Sequence, residues 1–300
     1  MLKIKDVCMK DFNAFFQSYS IPLDDVAVAQ QTTHILAEKT VVNLNPEVYK
    51  RCFSSIDLTS LNSMDNTTNI LSMVEKVNTF SDHFLEMPQV AAICVYPNFS
   101  GVVHKALSVP IGVAAVSAGF PSSQTFIEVK VAETALAVHE GASEVDVVIS
   151  VGSFLNSQYE DVFEELSELK SACRDAHLKV ILETGALKHA SEIKKASLLA
   201  MEAGADFIKT STGKMNPAAT PEAAYVMCNA ISEYYKKTGR KVGFKPAGGI
   251  VTPADAVNYY TIVKEVLGDE WLNNTFFRLG ASRLANNLLS AIYKKEINYF

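Results

Sequence analysis

Eight short apolar runs recur after residue 50, at 55–58, 91–96, 110–116, 144–150, 179–184, 206–210, 242–245 and 276–279. Most are separated by a segment of helical period, such as 125–138, 159–176, 191–203 and 221–236. Strands that alternate with helices form right-handed parallel βαβ units. Eight such units predict an α/β chain built as a (β/α)8 TIM barrel. A doubly wound open sheet is the alternative, but no GxGxxG follows the first run to favour it. Helix starts are also legible: Thr220 reads as an N-cap, with Pro221 in the first turn. Residues 1–50 differ from the rest. They hold an aromatic-rich stretch at 13–18 and an amphipathic pattern at 24–39 with acids at its start, and they carry no chemistry. The expected organisation is an N-terminal helical extension, 1–50, packed on a barrel, 51–300.

Strand parity then places the polar residues. Alternate residues of a barrel strand face the helices or the interior. Val145, Val147 and Ile149 suit the helix side, which turns Glu144 and Asp146 inward. Val180 and Leu182 face out, so Glu183 faces in. Ile208 outward sends Lys209 in, and Val242 and Phe244 outward send Lys245 in. Four consecutive strands thus aim charge into one interior near its C-terminal end, where barrels of this kind keep their active sites. A charged ammonium is seldom placed in an interior unless it is paired.

Lys209 and Lys245 lie 36 residues apart, on the sixth and seventh runs. Neighbouring strands are about 4.8 Å apart. Two ammonium groups there repel, so one releases its proton more easily. Moving a lysine from about 10.4 to about 7 takes roughly 4.6 kcal/mol of destabilisation of its charged form. One close like charge with partial burial is of that order. The neutral amine can attack a carbonyl and form a Schiff base, an electron sink for an adjacent carbon–carbon bond. Asp146 has the parity to share an interior layer with Lys209 and to carry protons through a water.

Phosphate signals stand beside the lysines. Ser211-Thr212-Gly213-Lys214 offers hydroxyls, amides and an ammonium; Gly248-Gly249 follows the seventh run, and Gly280-Ala281-Ser282-Arg283 precedes a helical stretch. Loops after strands seven and eight with a helix N-terminus commonly cradle phosphate in this barrel. The net charge of −6 disfavours nucleic acid and a basic membrane face. The five scattered cysteines show no CxxC, which argues against zinc and suits a reducing compartment. The N-terminal Met1–Asp6 has no secretory core, and no stretch is long enough to span a bilayer. A cytoplasmic location without metal or cofactor is expected, and a homo-oligomer is compatible with the sequence.

These residues resemble the deoxyribose-phosphate aldolase family, Schiff-base aldolases on a (β/α)8 barrel. The resemblance is carried by Ile56-Asp57-Leu58-Thr59-Ser60-Leu61-Asn62, Ala91 through Pro97, Glu144 through Val148, Val180 through Gly185, Asp206 through Lys214, Val242 through Ile250, and Arg278 through Ser282. It covers about residues 52–292. It implies cleavage of 2-deoxy-D-ribose 5-phosphate to D-glyceraldehyde 3-phosphate and acetaldehyde. By position, Lys209 resembles the Schiff-base lysine, Asp146 the proton donor and acceptor, and Lys245 the second proton-transfer group that lowers the neighbouring pKa. Asp57 and Cys94 match positions lining the substrate cavity. Thr210, in the same matched segment as Lys209, is expected at the substrate. Lys214, Gly248, Gly249, Gly280 and Ser282 match the phosphate side.

The chain departs from the family pattern in places. Bacterial members often carry arginine where Val251 stands, and a second serine where Arg283 stands, so Arg283 is available to supply charge instead. The first 50 residues resemble the longer eukaryotic type. A C-terminal tyrosine takes part in some members; here Tyr299 is penultimate. Cys94 reads as a small wall residue, Trp271 as packing and the histidines as surface or helix-end groups. Glu183 reads as orienting the lysines electrostatically. Two other functions compete. A transaldolase-like or other Schiff-base lyase would fail with acetaldehyde as sole donor. A non-enzymatic interaction module would carry a broken catalytic set.

Overall fold

The computed structural model describes residues 11–300; Met1–Lys10, with Cys8 and the start of the chain read for targeting signals, lie outside the described residues. The eight strands are β1 (Ile56–Thr59), β2 (Ala92–Val95), β3 (Gly112–Ser117), β4 (Glu144–Val148), β5 (His177–Ile181), β6 (Phe207–Lys209), β7 (Gly243–Lys245) and β8 (Leu279–Ala281). They form one parallel sheet in the order β7-β6-β5-β4-β3-β2-β1-β8. Parallel bridges Phe244↔Phe277 and Ala247↔Gly280 join its two ends and close the barrel. The expected run 276–279 therefore pairs one bridge early, and its regular strand begins at Leu279. After each strand comes a helix: Thr67–Asn78, Ser100–Ala106, Ile127–His139, Tyr159–Cys173, Ala190–Glu202, Pro221–Thr238, Pro253–Leu267 and Leu284–Tyr293.

Local chemistry sets the helix starts. The Thr220 side chain accepts from Ala223 N, with Pro221 in the first turn. Thr252 and Asp255 form a reciprocal capping box ahead of Pro253–Leu267. Among the described residues no helix is long and apolar enough to cross a membrane.

The extension is helical, in the segments Phe12–Gln17, Asp25–Asn43 and Pro46–Ser54. The last of these crosses the expected boundary at residue 50. Aromatic edges fasten the first segment to Tyr159–Cys173: Phe12 meets Phe163 at 5.2 Å and Phe16 meets Tyr159 at 5.1 Å between ring centroids. Polar contacts fasten the second. Asn43 Nδ2 donates to Thr261 Oγ1 at 2.9 Å, and Asp25 Oδ1 accepts from Ala190 N at 2.7 Å.

Strand alternation sorts the side chains as the pleat requires. Val145, Val147, Ile149, Leu178, Val180, Leu182, Ile208, Phe244 and Leu279 belong to the apolar layer under the helices. Inside, Ala92, Cys94, Ala114 and Val116 make a small apolar patch with Leu61. Beside this patch the interior holds the charged cluster and the Phe207 ring. Gly243 is required for space: a Cβ there would stand 2.2 Å from Phe207 Cε1, and the Phe207 ring occupies the interior instead. Trp271 packs as expected, buried with Nε1 donating to Val242 O at 2.9 Å.

Candidate active site

Lys209 and Lys245 are register partners on adjacent strands, as the spacing predicts. Both are buried, and both donate to Asp146 Oδ2, at 2.8 and 2.7 Å. Asp146 is register partner of Lys179, and Lys179 of Phe207, so Asp146 sits one interior layer below Lys209 rather than level with it. The long lysine side chain closes the gap.

Beneath the pair lies an ionic floor in which sequence reasoning gave a role to Asp57 alone. Lys179 donates to Glu144 and to Asp57 Oδ2, the latter at 3.1 Å, and approaches Asp146 Oδ1 at 3.3 Å. Arg278 reaches Asp57 Oδ1 and Glu144 Oε1, each at 2.7 Å, with its guanidinium carbon 5.7 Å from the Phe207 ring centroid. Lys245 also donates to Asp57. The parity rule could have found both missing cations. Val180 outward places Lys179 inward, and Phe277 and Leu279 outward place Arg278 inward.

The cluster holds four basic groups, Lys179, Lys209, Lys245 and Arg278, against three carboxylates, Asp57, Glu144 and Asp146. A buried charge without compensation is costly, so the balanced state has one base neutral. Arginine does not give up its proton in proteins. Lys179 faces three carboxylates and Lys245 two, whereas Lys209 faces Asp146 alone. Electrostatics follow this count. Burial pushes Lys209 down, Asp146 pulls it up and Lys245 pushes it down again, leaving it below the usual lysine range. Burial acts against Lys245 too, but Asp146 and Asp57 outweigh it and hold Lys245 above that range. Burial would raise Asp146, yet Lys179, Lys209 and Lys245 keep it well below the usual carboxylate range. Of the three buried lysines in the cluster, Lys209 is the one whose charged form the cluster supports least.

Lys209 also lines a cavity of about 610 Å³ at the C-terminal mouth of the barrel, a size typical of small-molecule sites. Lys214, Gly248, Gly249, Gly280 and Ser282 line it too, as does Arg283. Lys214 Nζ donates to Leu61 O at 2.5 Å across the opening. The loops after β6 and β7 touch through glycines: Gly248 has φ +83°, and a Cβ on it would lie 3.0 Å from Gly213 Cα.

Other expected positions fall elsewhere. Asp57 and Cys94 are not among the residues lining the open cavity. Asp57 is fully buried in the ionic floor, and Cys94 sits in the apolar patch, where burial raises its thiol. A thiol held in its neutral form is a poor nucleophile. Thr210 does not line the cavity either. It is fully buried, and its Oγ1 accepts from Ala247 N at 3.0 Å, stapling the ends of β6 and β7. Glu183 does not address the lysines. It stands past the end of β5 with φ +54° and grips Thr212, accepting from its N at 3.1 Å and from its Oγ1 at 2.6 Å. This fixes the loop that carries Lys214. Tyr299 is packed on Phe80 and Phe84 and does not line the cavity.

A barrel with this lysine pair can be compared with known proteins. The profile described as DeoC/LacD family aldolase matches residues 52–264. The chain belongs to the DeoC/LacD aldolase family. Human deoxyribose-phosphate aldolase is 40% identical over 285 residues, covering 91% of this chain and 90% of its own length. The Bos taurus protein of the same name is 41% identical over 254 residues, covering 81% and 80%. The solved tetrameric deoxyribose phosphate aldolase from Aeropyrum pernix superposes with a TM-score of 0.66 over 88% of this chain and 98% of that one. Its 24% identity makes that a likeness of fold. Within this DeoC/LacD aldolase, the match ends in the helix Pro253–Leu267, so β8 with Arg278 and Ser282 lies beyond the profile and is placed by the closed barrel.

Proposed function

We propose that this chain is a Schiff-base aldolase that reversibly cleaves 2-deoxy-D-ribose 5-phosphate to D-glyceraldehyde 3-phosphate and acetaldehyde. The observation that carries the reading is Lys209. It lines the cavity, faces a single carboxylate and is held below the usual lysine range. Its neutral amine attacks C1 of the open-chain sugar, and loss of water gives an iminium. The C3 hydroxyl then loses its proton, the C2–C3 bond breaks, and its electrons flow into the iminium to give an enamine. Protonation at C2 and hydrolysis release acetaldehyde. Asp146 is the proton carrier. Its Oδ1 is buried and accepts no hydrogen bond among the described residues, although the Lys179 ammonium stands 3.3 Å away, so this oxygen keeps a lone pair for a proton or a water. Lys245 stays charged, keeps Lys209 neutral and supports proton transfer. Asp57 positions Lys245, Cys94 packs the barrel interior with Ala92, Ala114 and Val116, and Thr210 braces the ends of β6 and β7.

The phosphate end is assigned to Lys214, Gly248, Gly249, Gly280 and Ser282, from loops after three adjacent strands. The described cysteines, Cys52, Cys94, Cys173 and Cys228, are buried and unpaired, which supports a reducing, cytoplasmic setting. The direct test is borohydride reduction in the presence of acetaldehyde, followed by peptide mapping. A two-carbon adduct on the Lys209 peptide is expected, and Lys209→Ala folds but forms none. Label confined to Lys245 or Lys214 refutes the assignment.

A further inference from the structure

Four basic side chains line the cavity, Lys76, Lys209, Lys214 and Arg283, and among the described residues no aspartate or glutamate side chain lines it. That is a marked local imbalance in a chain with 33 acids and 27 Lys and Arg. Lys209 is committed to covalent chemistry, and the Lys214 ammonium donates to Leu61 O. The other two are different. Lys76 and Arg283 are solvent-exposed at the cavity wall, and neither side chain makes an ion pair or hydrogen bond among the described residues. Their helices differ too: Lys76 lies in the last turn of Thr67–Asn78, while Arg283 immediately precedes Leu284–Tyr293.

We propose that Lys76 and Arg283 form a cation pair that grips the phosphate of the sugar from the outer wall, with Lys76 a specificity-determining residue. The proposal rests on the deoxyribose-phosphate reading above and deepens it. The backbone and hydroxyl donors of Gly248, Gly249, Gly280 and Ser282 orient a phosphate but do not neutralise it. A dianion in an opening needs positive charge, and these two side chains are not committed to an acid of the protein. Charge-assisted contacts to such a group are the strong ones.

The C-terminal tail holds Lys76 in place. Tyr299 Oη donates to the carbonyl oxygen of Lys76 itself at 2.8 Å and stands 3.2 Å from Thr79 Oγ1. Asn286 latches the tail: its Oδ1 accepts from Tyr299 N and Phe300 N, both at 2.9 Å, and its Nδ2 donates to Phe300 O at 3.0 Å. Asn286 and Phe300 also line the cavity. Tyr299 is thus a positioning residue, acting through the helix end that presents Lys76.

The test compares kcat/KM for deoxyribose 5-phosphate and for unphosphorylated deoxyribose in Lys76→Gln, Arg283→Gln, Lys76→Arg and Tyr299→Phe. The ratio of the two should fall about tenfold in each glutamine variant, the low end expected of exposed charge-assisted contacts. Lys76→Arg should restore most of it. Tyr299→Phe should raise KM for the phosphorylated sugar by a smaller factor. A ratio unmoved by both glutamine variants overturns the pair. A Tyr299→Phe protein whose main defect is in kcat, with slowed proton exchange on bound acetaldehyde, overturns the positioning role. Acetaldehyde trapping in the unaltered protein separates the two levels. If Lys209 traps acetaldehyde while the ratio stays fixed, only the cation pair is wrong; if Lys209 does not trap, the aldolase reading fails first.

Discussion

Lys209 and Lys245 donate to the same atom, Oδ2 of Asp146, at 2.8 and 2.7 Å. One carboxylate oxygen thus serves two amines, and the second carboxylate, Asp57, touches only Lys245 of the two. In the proposed mechanism this asymmetry makes Lys209 the nucleophile and Lys245 the cation. Strand pairing brings the lysines together; unequal access to acids tells them apart.

Lys245→Leu follows from this asymmetry. Removing that ammonium leaves Asp146 acting on Lys209 without its nearest like charge. The Lys209 pKa rises toward the ordinary lysine value, so the fraction of neutral amine at a given pH falls. The pH–rate profile should move to higher pH, and slow trapping at Lys209 should persist. Full activity with an unshifted profile would remove Lys245 from the mechanism.

Asp146→Asn separates proton transfer from imine formation. The amide keeps an oxygen for the lysines but cannot carry a proton as a carboxylate does. Imine formation with acetaldehyde should survive in part. Deuterium wash-in at the bound acetaldehyde carbon should slow by about 10²–10⁴-fold, the usual contribution of a positioned general acid–base group. Wild-type exchange would count against the shuttle.

Much of this site was legible before folding. The two lysine motifs and Asp146 announced themselves because alternation fixes which side of a strand a residue faces. The same rule contained Lys179 and Arg278, which were overlooked because neither stands at a strand-to-turn junction. Glu183 misled for the opposite reason. It stands at such a junction, where the chain leaves the pleat and parity stops applying, and takes a left-handed backbone. Lys76 had no signal, since a lysine in an amphipathic helix is ordinary until the closed barrel brings that helix to the mouth. The helix Pro46–Ser54 blurs the expected boundary because its residues Val48, Cys52 and Phe53 are buried in the same core as the strands.

Arg278→Met tests the ionic floor. Removing one partner from a buried pair typically destabilises by about 3–5 kcal/mol. Asp57 and Glu144 both have folded pKa values lowered against burial, with Arg278 among the causes. Their contribution is therefore fully present above the unfolded carboxylate value of about 4 and is lost as pH falls through the lowered folded values. Denaturant unfolding at several pH values should show a large gap between wild type and variant at neutrality. The gap should close as acid protonates both carboxylates. A gap of constant size across that range would point to lost packing on Phe207 rather than lost charge.

Ser282→Asp tests the phosphate assignment most severely. Ser282 lines the cavity just past β8, two residues before the helix Leu284–Tyr293, and its side chain is exposed. An aspartate there sets a negative charge where the phosphate belongs and opposes Arg283 next to it. KM for deoxyribose 5-phosphate should rise steeply, by more than the roughly tenfold expected from each outer cation, because attraction is replaced by repulsion as well as lost. Unphosphorylated deoxyribose carries no charge to repel, so its slow cleavage should change far less. Raising ionic strength should partly relieve the defect for the phosphorylated sugar, since an exposed charge is screened within about 10 Å at 0.1 M salt. Equal loss on both substrates, unrelieved by salt, would mean that Ser282 supports the end of β8 and that the phosphate is held elsewhere.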